Sequence, residues 1–215
     1  MSGLLYETHV TVRCTGPAET ERLRGWAEAA GLKLTHIVLA RGRMRDQPML
    51  TLAGSASYAE QSARAAGTVT ALRSAGFTPV RVKTESVPWA PEVPGGPCGG
   101  GQYFEHHVKL RLDAGTDLAG LTARVVPHGA HLSWNARRVR GDGRRERFVT
   151  QRCRGVRDAE AEAALRLLLA ELDGLEVLGV EREFVLYDSD ESVDDGWLEE
   201  RAVQESPPEQ PRTED

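Results

Sequence analysis

The chain has 215 residues, 40% hydrophobic and 27% charged, with a net charge of −5. Those are ordinary proportions for a globular protein, and the length allows one large domain or two small ones. Cys14, Cys98 and Cys153 are far apart and form no C-x-x-C, which argues against a disulfide framework or structural zinc and for a reducing, cytoplasmic setting. The start MSGLLYETHV has no basic or apolar signal-peptide region, and no run nears the roughly 18 apolar residues of a membrane helix. No membrane partner is therefore expected.

The first predicted element is a strand, YETHVTVR at 6–13, with Val10 and Val12 on one face and Glu7, His9, Thr11 and Arg13 on the other. A helix then opens at Gly16-Pro17, proline suiting the first helical position, and runs with Leu23, Trp26, Ala27 and Ala30 at helical spacing. Strands LTHIVLAR (34–41) and MLTLAG (49–54) follow. Ser57-x-x-Glu60 is a capping-box pattern that starts a second helix, and FTPVRVKTES (77–86) reads as a further strand. The stretch SVPWAPEVPGGPCGGG (86–101) is too rich in proline and glycine to continue either state and reads as a linker.

Beyond it the order repeats. FEHHVKLR (104–111) lies over YETHVTVR, and GAHLSWNAR (129–137) over LTHIVLAR with His131 over His36. FVTQRC (148–153) lies over MLTLAG, and a helix near Asp158 leads to LEVLGVEREFVLY (175–187). The expected fold is α+β: two tandem ferredoxin-like β-α-β-β-α-β units from an internal duplication, each an antiparallel sheet with its helices on one face. The units span 1–86 and 103–188, joined by 87–102 and followed by a disordered acidic tail, 189–215. From residue 181 onward there are thirteen acidic residues against three arginines, while the body is mildly basic. Such asymmetry suits an anionic ligand or an acidic interaction tail that competes for basic groups in cis.

The face without helices carries the chemistry. On the central strand of the second half, alternation puts Glu105, His107, Lys109 and Arg111 there and turns His106 toward the helices. His131, Ser133, Asn135 and Arg137 join them, with Thr150, Arg152, Glu181 and Glu183. The first half offers Glu7, His9, His36, Thr51, Arg81, Lys83 and Glu85. Imidazole titrates near neutral pH, so His107, His131, His9 and His36, with Glu105 as orienting carboxylate, are the candidate acid–base groups. Lys109, Arg111, Asn135, Arg137, Arg152 and Glu183 are the candidate ligand-binding groups, arginine offering paired donors to phosphate oxygens. The arginine-rich hairpin 135–148 adds to the anion reading. If the two sheets stacked face to face, the histidines would gather beside Glu7 and Glu105, a set suited to a divalent metal ion as cofactor.

Two short resemblances bear on this. HVTV at 9–12 resembles the histidine-x-threonine motif of the 2H phosphoesterases, which are also duplicated; the second half reads HVKL, with Lys109 at the threonine position. Glu105, His107 and Lys109 resemble, at two of three positions, the Glu-Glu-Lys alternation on the first strand of CYTH-type triphosphate tunnel enzymes, with His107 in place of a glutamate. Glu181-x-Glu183 is similar to a later acidic pair of that family. The resemblances imply a phosphoesterase or a triphosphate-handling hydrolase or transferase. The expected function is an enzyme acting on a phosphate-bearing small molecule or nucleotide. A non-catalytic module for an anionic ligand or nucleic-acid backbone is the alternative, and a structural or interaction protein the third reading. Sheet-face RNA binding is disfavoured, because the face has few aromatics and several glutamates.

Overall fold

The computed structural model describes residues 5–55, 57–136 and 144–197. The first half contains β1 (Tyr6–Arg13), α1 (Pro17–Ala29), β2 (Lys33–Leu39), β3 (Asp46–Ser55), α2 (Tyr58–Ser74) and β4 (Thr78–Ser86). The second contains β5 (Tyr103–Leu112), α3 (Leu118–Val125), β6 (Ala130–Asn135), β7 (Arg145–Cys153), α4 (Asp158–Glu171) and β8 (Glu176–Asp188). Local signals explain the helix starts. Pro17 lies at the first turn of α1, Ser57 Oγ accepts the Glu60 amide at 3.2 Å, and Asp117 Oδ1 accepts the Ala119 and Gly120 amides at 3.0 Å.

The strands form one closed barrel in the order β1-β3-β2-β6-β7-β5-β8-β4. This corrects the expectation of two ferredoxin-like units with separate open sheets. Each half does run β-α-β-β-α-β, but its outer strands pair with those of the other half. Ile37–Leu39 of β2 lie against Ser133–Asn135 of β6, and Lys83–Ser86 of β4 against Phe184–Asp188 of β8. An open sheet leaves two rows of unpaired backbone groups, and closure satisfies both at once. The face each half leaves bare of helices becomes the inner wall of the barrel; the sheets meet edge to edge and do not stack.

The apolar cores lie outside that wall, between strands and helices. In the first half Val10, Val12, Leu50 and Leu52 pack with Leu23, Ala27 and Leu72. In the second, Val108, Leu110 and Val149 pack with Leu121, Val125, Leu165 and Leu168. Burying each such aliphatic side chain is worth roughly 1.5–3 kcal/mol. Stability is thus supplied from the outer face, and the lumen is left free for polar groups.

The acidic tail expectation also needs correction at its start. Residues 189–197 are ordered against the barrel as a strap containing a 3₁₀ turn, Glu191–Asp194. The Arg43 amide donates to Asp195 O at 2.7 Å. Gly42, at φ 111°, is a position where a side chain would meet the strap backbone, since a Cβ there would lie 3.0 Å from Asp195 O and Trp197 N. Residues 198–215, the remainder of that expectation, lie outside the described residues.

Candidate functional site

Strand register builds the site. Across β3, β1 and β4 the backbone pairs Thr51 with His9 and His9 with Lys83; one step along, Ala53 faces Glu7 and Glu7 faces Glu85. Across β7, β5 and β8 the same positions hold Thr150, His107 and Glu181, then Arg152, Glu105 and Glu183. Each half therefore places one Glu-His-Thr-Glu quartet on the inner wall: Glu7, His9, Thr51, Glu85 and Glu105, His107, Thr150, Glu183.

Their internal geometry repeats. His9 Nδ1 lies 3.2 Å from Thr51 Oγ1, and its Nε2 lies 3.2 Å from Glu7 and 3.1 Å from Glu85. His107 Nδ1 lies 2.9 Å from Thr150 Oγ1, and its Nε2 lies 3.2 Å from Glu105 and 3.3 Å from Glu183. Burial alone would lower both imidazole pKa values. The flanking carboxylates outweigh it and raise His9 to about 9 and His107 to about 10. At neutral pH both rings are imidazolium ions, each donating Nδ1–H to a threonine and Nε2–H to carboxylates.

Lys83 joins the quartets. Its Nζ lies 2.5 Å from Glu85 Oε1 and 2.5 Å from Glu105 Oε2, and both carboxylates are fully buried. Burial pushes the pKa of Glu85 up, but Lys83 and His9 pull it down to about 2. Burial raises that of Glu105 too, and Lys83 and Arg152 carry it well below the usual range. Glu183 goes the other way: burial and the nearby Glu85 charge raise it. One carboxyl of the cluster is thus shifted toward accepting a proton while two are held ionised, a separation that assigns acid–base roles in many sites.

All of these groups except Glu85, which is buried behind Lys83 and His9, line a cavity of about 290 Å³. One wall is charged, with Glu7, His9, Lys83, Glu105, His107 and Glu183. The other is mixed, with Ile37, Leu39, Met49, Phe148 and Trp197 set among Thr35, Gln47, Ser133 and Asn135. Lys33 and Lys109 also reach the cavity, and Lys109 Nζ lies 2.8 Å from Glu146. Glu85, Glu105, His107 and Glu183 each offer one ligand atom within 4.8 Å of the others, a donor set suited to a divalent transition ion. The Lys83 ammonium already bridges two of those carboxylates and His107 carries a proton, so a metal would have to displace both cations.

The structure separates the sequence-predicted residues. His9, Glu105, His107, Lys109, Asn135, Arg152 and Glu183 line the cavity. His131 is on the same strand face, opposite Thr150, but is buried beside the Trp197 ring at 6.1 Å. His36 is not on the inner wall. Lys33, Thr35, Ile37 and Leu39 of β2 face the lumen, so His36 turns outward and meets Asp46 at 3.2 Å. The alignment of His36 with His131 is off in register: Lys33 pairs with Thr51 as His131 pairs with Thr150, making Lys33 the counterpart of His131. The four histidines therefore do not gather around one metal. Arg111 pairs with Glu176 at 2.5 Å and does not line the cavity, and Arg137 lies outside the described residues. His106 packs on the helix side, 3.0 Å from Gln151, and burial lowers its pKa.

Sequence reasoning had Lys83, Glu85 and Arg81 on the polar face without choosing them as site residues; their alternation in FTPVRVKTES was the signal. Asp194 had none, because its role arises only when the strap docks; Trp197, an aromatic in the tail, did signal a segment that docks onto the body.

No family model matches the chain, and no curated protein matches it in sequence. Among solved structures it is similar to the acetolactate synthase small subunit from Thermotoga maritima, at 12% identity over 85% of this chain and 95% of that one, TM-score 0.26. It is also similar to a mutant chlorite dismutase from Candidatus Nitrospira defluvii, at 10% identity over 84% of this chain and 91% of that one, TM-score 0.29. Likenesses this loose say nothing about what the chain binds.

Proposed function

We propose that the barrel lumen is the site of an enzyme acting on a small phosphate-bearing molecule. The observation that carries this reading is the pair of register-equivalent Glu-His-Thr-Glu quartets, seven of whose eight side chains line one cavity. Burying ion pairs is expensive, and apolar side chains of similar volume usually serve stability as well or better. Part of the lumen is lined that way already, by Ile37, Met49 and Phe148. A barrel that keeps charges and open space along the other wall is organised for a ligand. The closed barrel with charged strands facing inward also supports what the resemblance to triphosphate tunnel enzymes implied.

In this reading Lys33, Lys109 and the two imidazolium ions attract the anionic group, and the wall of Ile37, Met49 and Phe148 receives the less polar remainder. Glu183, with its raised pKa and partial exposure, exchanges the proton. His107 keeps Glu183 in place and stabilises negative charge as a cation. A volume of about 290 Å³ is at the lower end of the range for small-molecule sites.

The saturation of both rings favours one second reading, a binding module without turnover. Both nitrogens of His9 and of His107 already have protein partners. A panel of sugar phosphates, pyrophosphate and nucleoside phosphates, each beside its phosphate-free analogue, separates the readings. Turnover lost in Glu183→Gln with the fold intact supports the enzyme. Saturable binding with no turnover supports the module. No phosphate-dependent binding or release by wild type would sink both.

A further inference from the structure

The structure assigns a second, oxyanion-binding subsite to the Arg81–Arg152 pair, occupied here by the chain's own Asp194. The two guanidinium groups come from different halves, β4 and β7, and their side chains are only 5% and 7% exposed. Asp194 Oδ2 accepts from Arg81 Nη1 at 2.8 Å and from Arg152 Nη2 at 2.6 Å, and Oδ1 accepts from Gln47 Nε2 at 2.8 Å. Three donors converge on one carboxylate inside the cavity wall, an arrangement matching the oxygens of a phosphate or carboxylate.

Asp194 is a removable occupant. Each arginine keeps another acid without it: Arg81 meets Asp188 at 2.5 Å and Arg152 meets Glu105 at 2.5 Å. Asp194 belongs to no barrel strand. It sits on the strap, which is held by the Ser189–Val82 backbone contact, Arg43 to Asp195 O, Arg43 Nη1 to Ser192 Oγ at 2.7 Å, the Arg154–Glu191 ion pair, Trp197 Nε1 to Leu132 O at 3.1 Å, and burial of the Val193 and Trp197 side chains, all of them outside the barrel's own strand pairing. Trp197 and Asp194 both line the cavity, so lifting the strap would uncover the guanidinium pair and enlarge the lumen together. The strap is thus an internal competitor for oxyanions. This deepens the lumen reading above and rests on it only for the identity of the natural ligand.

The test uses the full chain and inorganic phosphate or acetate as the probe, with sodium chloride at equal ionic strength as reference. Asp194→Ala should gain a saturable rise in melting temperature with phosphate or acetate, several-fold above any response of wild type. Acetate alone acting would define a carboxylate subsite, and phosphate acting would define a phosphate one. Asp194→Asn, which keeps the volume and loses the charge, should show the same gain at smaller size. If Asp194→Ala folds poorly, recovery of folded protein in phosphate or acetate but not in chloride supports the subsite equally. Variants that respond no more than wild type, or fail to recover in either anion, overturn it. That result leaves the phosphate-compound screen on wild type standing, and a failed screen beside a responding Asp194→Ala would remove the substrate reading alone.

Discussion

The two quartets have the same register and nearly the same distances, yet their surroundings differ. In the first half the position of Arg152 is Ala53, and Glu7 is left half-exposed with His9 as its partner. In the second half Glu105 is fully buried and touches Lys83, Arg152 and His107. Lys83 in turn corresponds to Glu181, which is exposed. Each quartet thus has one buried and one partly exposed carboxylate, Glu85 and Glu7 in the first and Glu105 and Glu183 in the second; Lys83 touches both buried ones, and Arg152 adds a second cation at Glu105 alone. The lesson is that repeated backbone geometry fixes where side chains point, while a few neighbouring substitutions decide what they do electrostatically.

The largest expected difference between the halves follows from Glu105. Glu105→Gln removes one charged partner from each of Lys83, Arg152 and His107 at a fully buried position and should cost about 3–5 kcal/mol of unfolding free energy, whereas Glu7→Gln should cost about 0–1 kcal/mol, read by denaturant titration. Equal losses would break the distinction. Next comes the Lys83 and Glu181 pair. Lys83→Met should cost about 1–3 kcal/mol, because Glu85 and Glu105 keep their other partners, and Glu181→Met should stay within about 0.5 kcal/mol.

The pH dependence is the third comparison. Both imidazoles have folded pKa values above the unfolded value of about 6.5, so their stabilisation is fully present below that pH and is lost as pH rises toward 9 for His9 and 10 for His107. Unfolding free energy should therefore fall between about pH 6.5 and 10. His9→Gln and His107→Gln should each flatten part of that fall, His107→Gln the larger part. Glu85 and Asp194, both lowered to about 2, act at the opposite end: their stabilisation is present above the unfolded carboxylate values of about 4 and disappears as pH drops toward 2. The smallest effect is at the threonines. Thr150→Val and Thr51→Val each remove one hydrogen bond and should cost about 0.5–1.5 kcal/mol, with Thr150, at the shorter distance, toward the upper end.

Much of the inner wall was legible in the sequence because a strand has a strict period of two. That rule alone puts Glu7, His9, Glu105, His107 and Lys109 inward and His106 outward. It failed at His36 because residue type, His over His, does not fix which positions of β2 and β6 are equivalent, whereas the pairing of Lys33 with Thr51 and of His131 with Thr150 does. Barrel closure was not legible: nothing in the alternation of LTHIVLAR or LEVLGVEREFVLY states which strand will pair with the free edge. The place of Asp194 was hidden for a related reason. YDSDESVDD is acidic throughout, and only the folded structure shows that Asp188 forms its ion pair with Arg81 alone while Asp194 bridges Arg81 and Arg152.

The most direct measurement is side-chain NMR of the histidines, first across pH and then during addition of the phosphate-bearing panel. His9 and His107 should titrate near 9 and 10, and their ring signals should shift saturably with a panel compound, while His36, on the outer face, does not respond. Rings of His9 and His107 that titrate near the unfolded value of about 6.5 and ignore every compound would contradict the lumen as a charged ligand site.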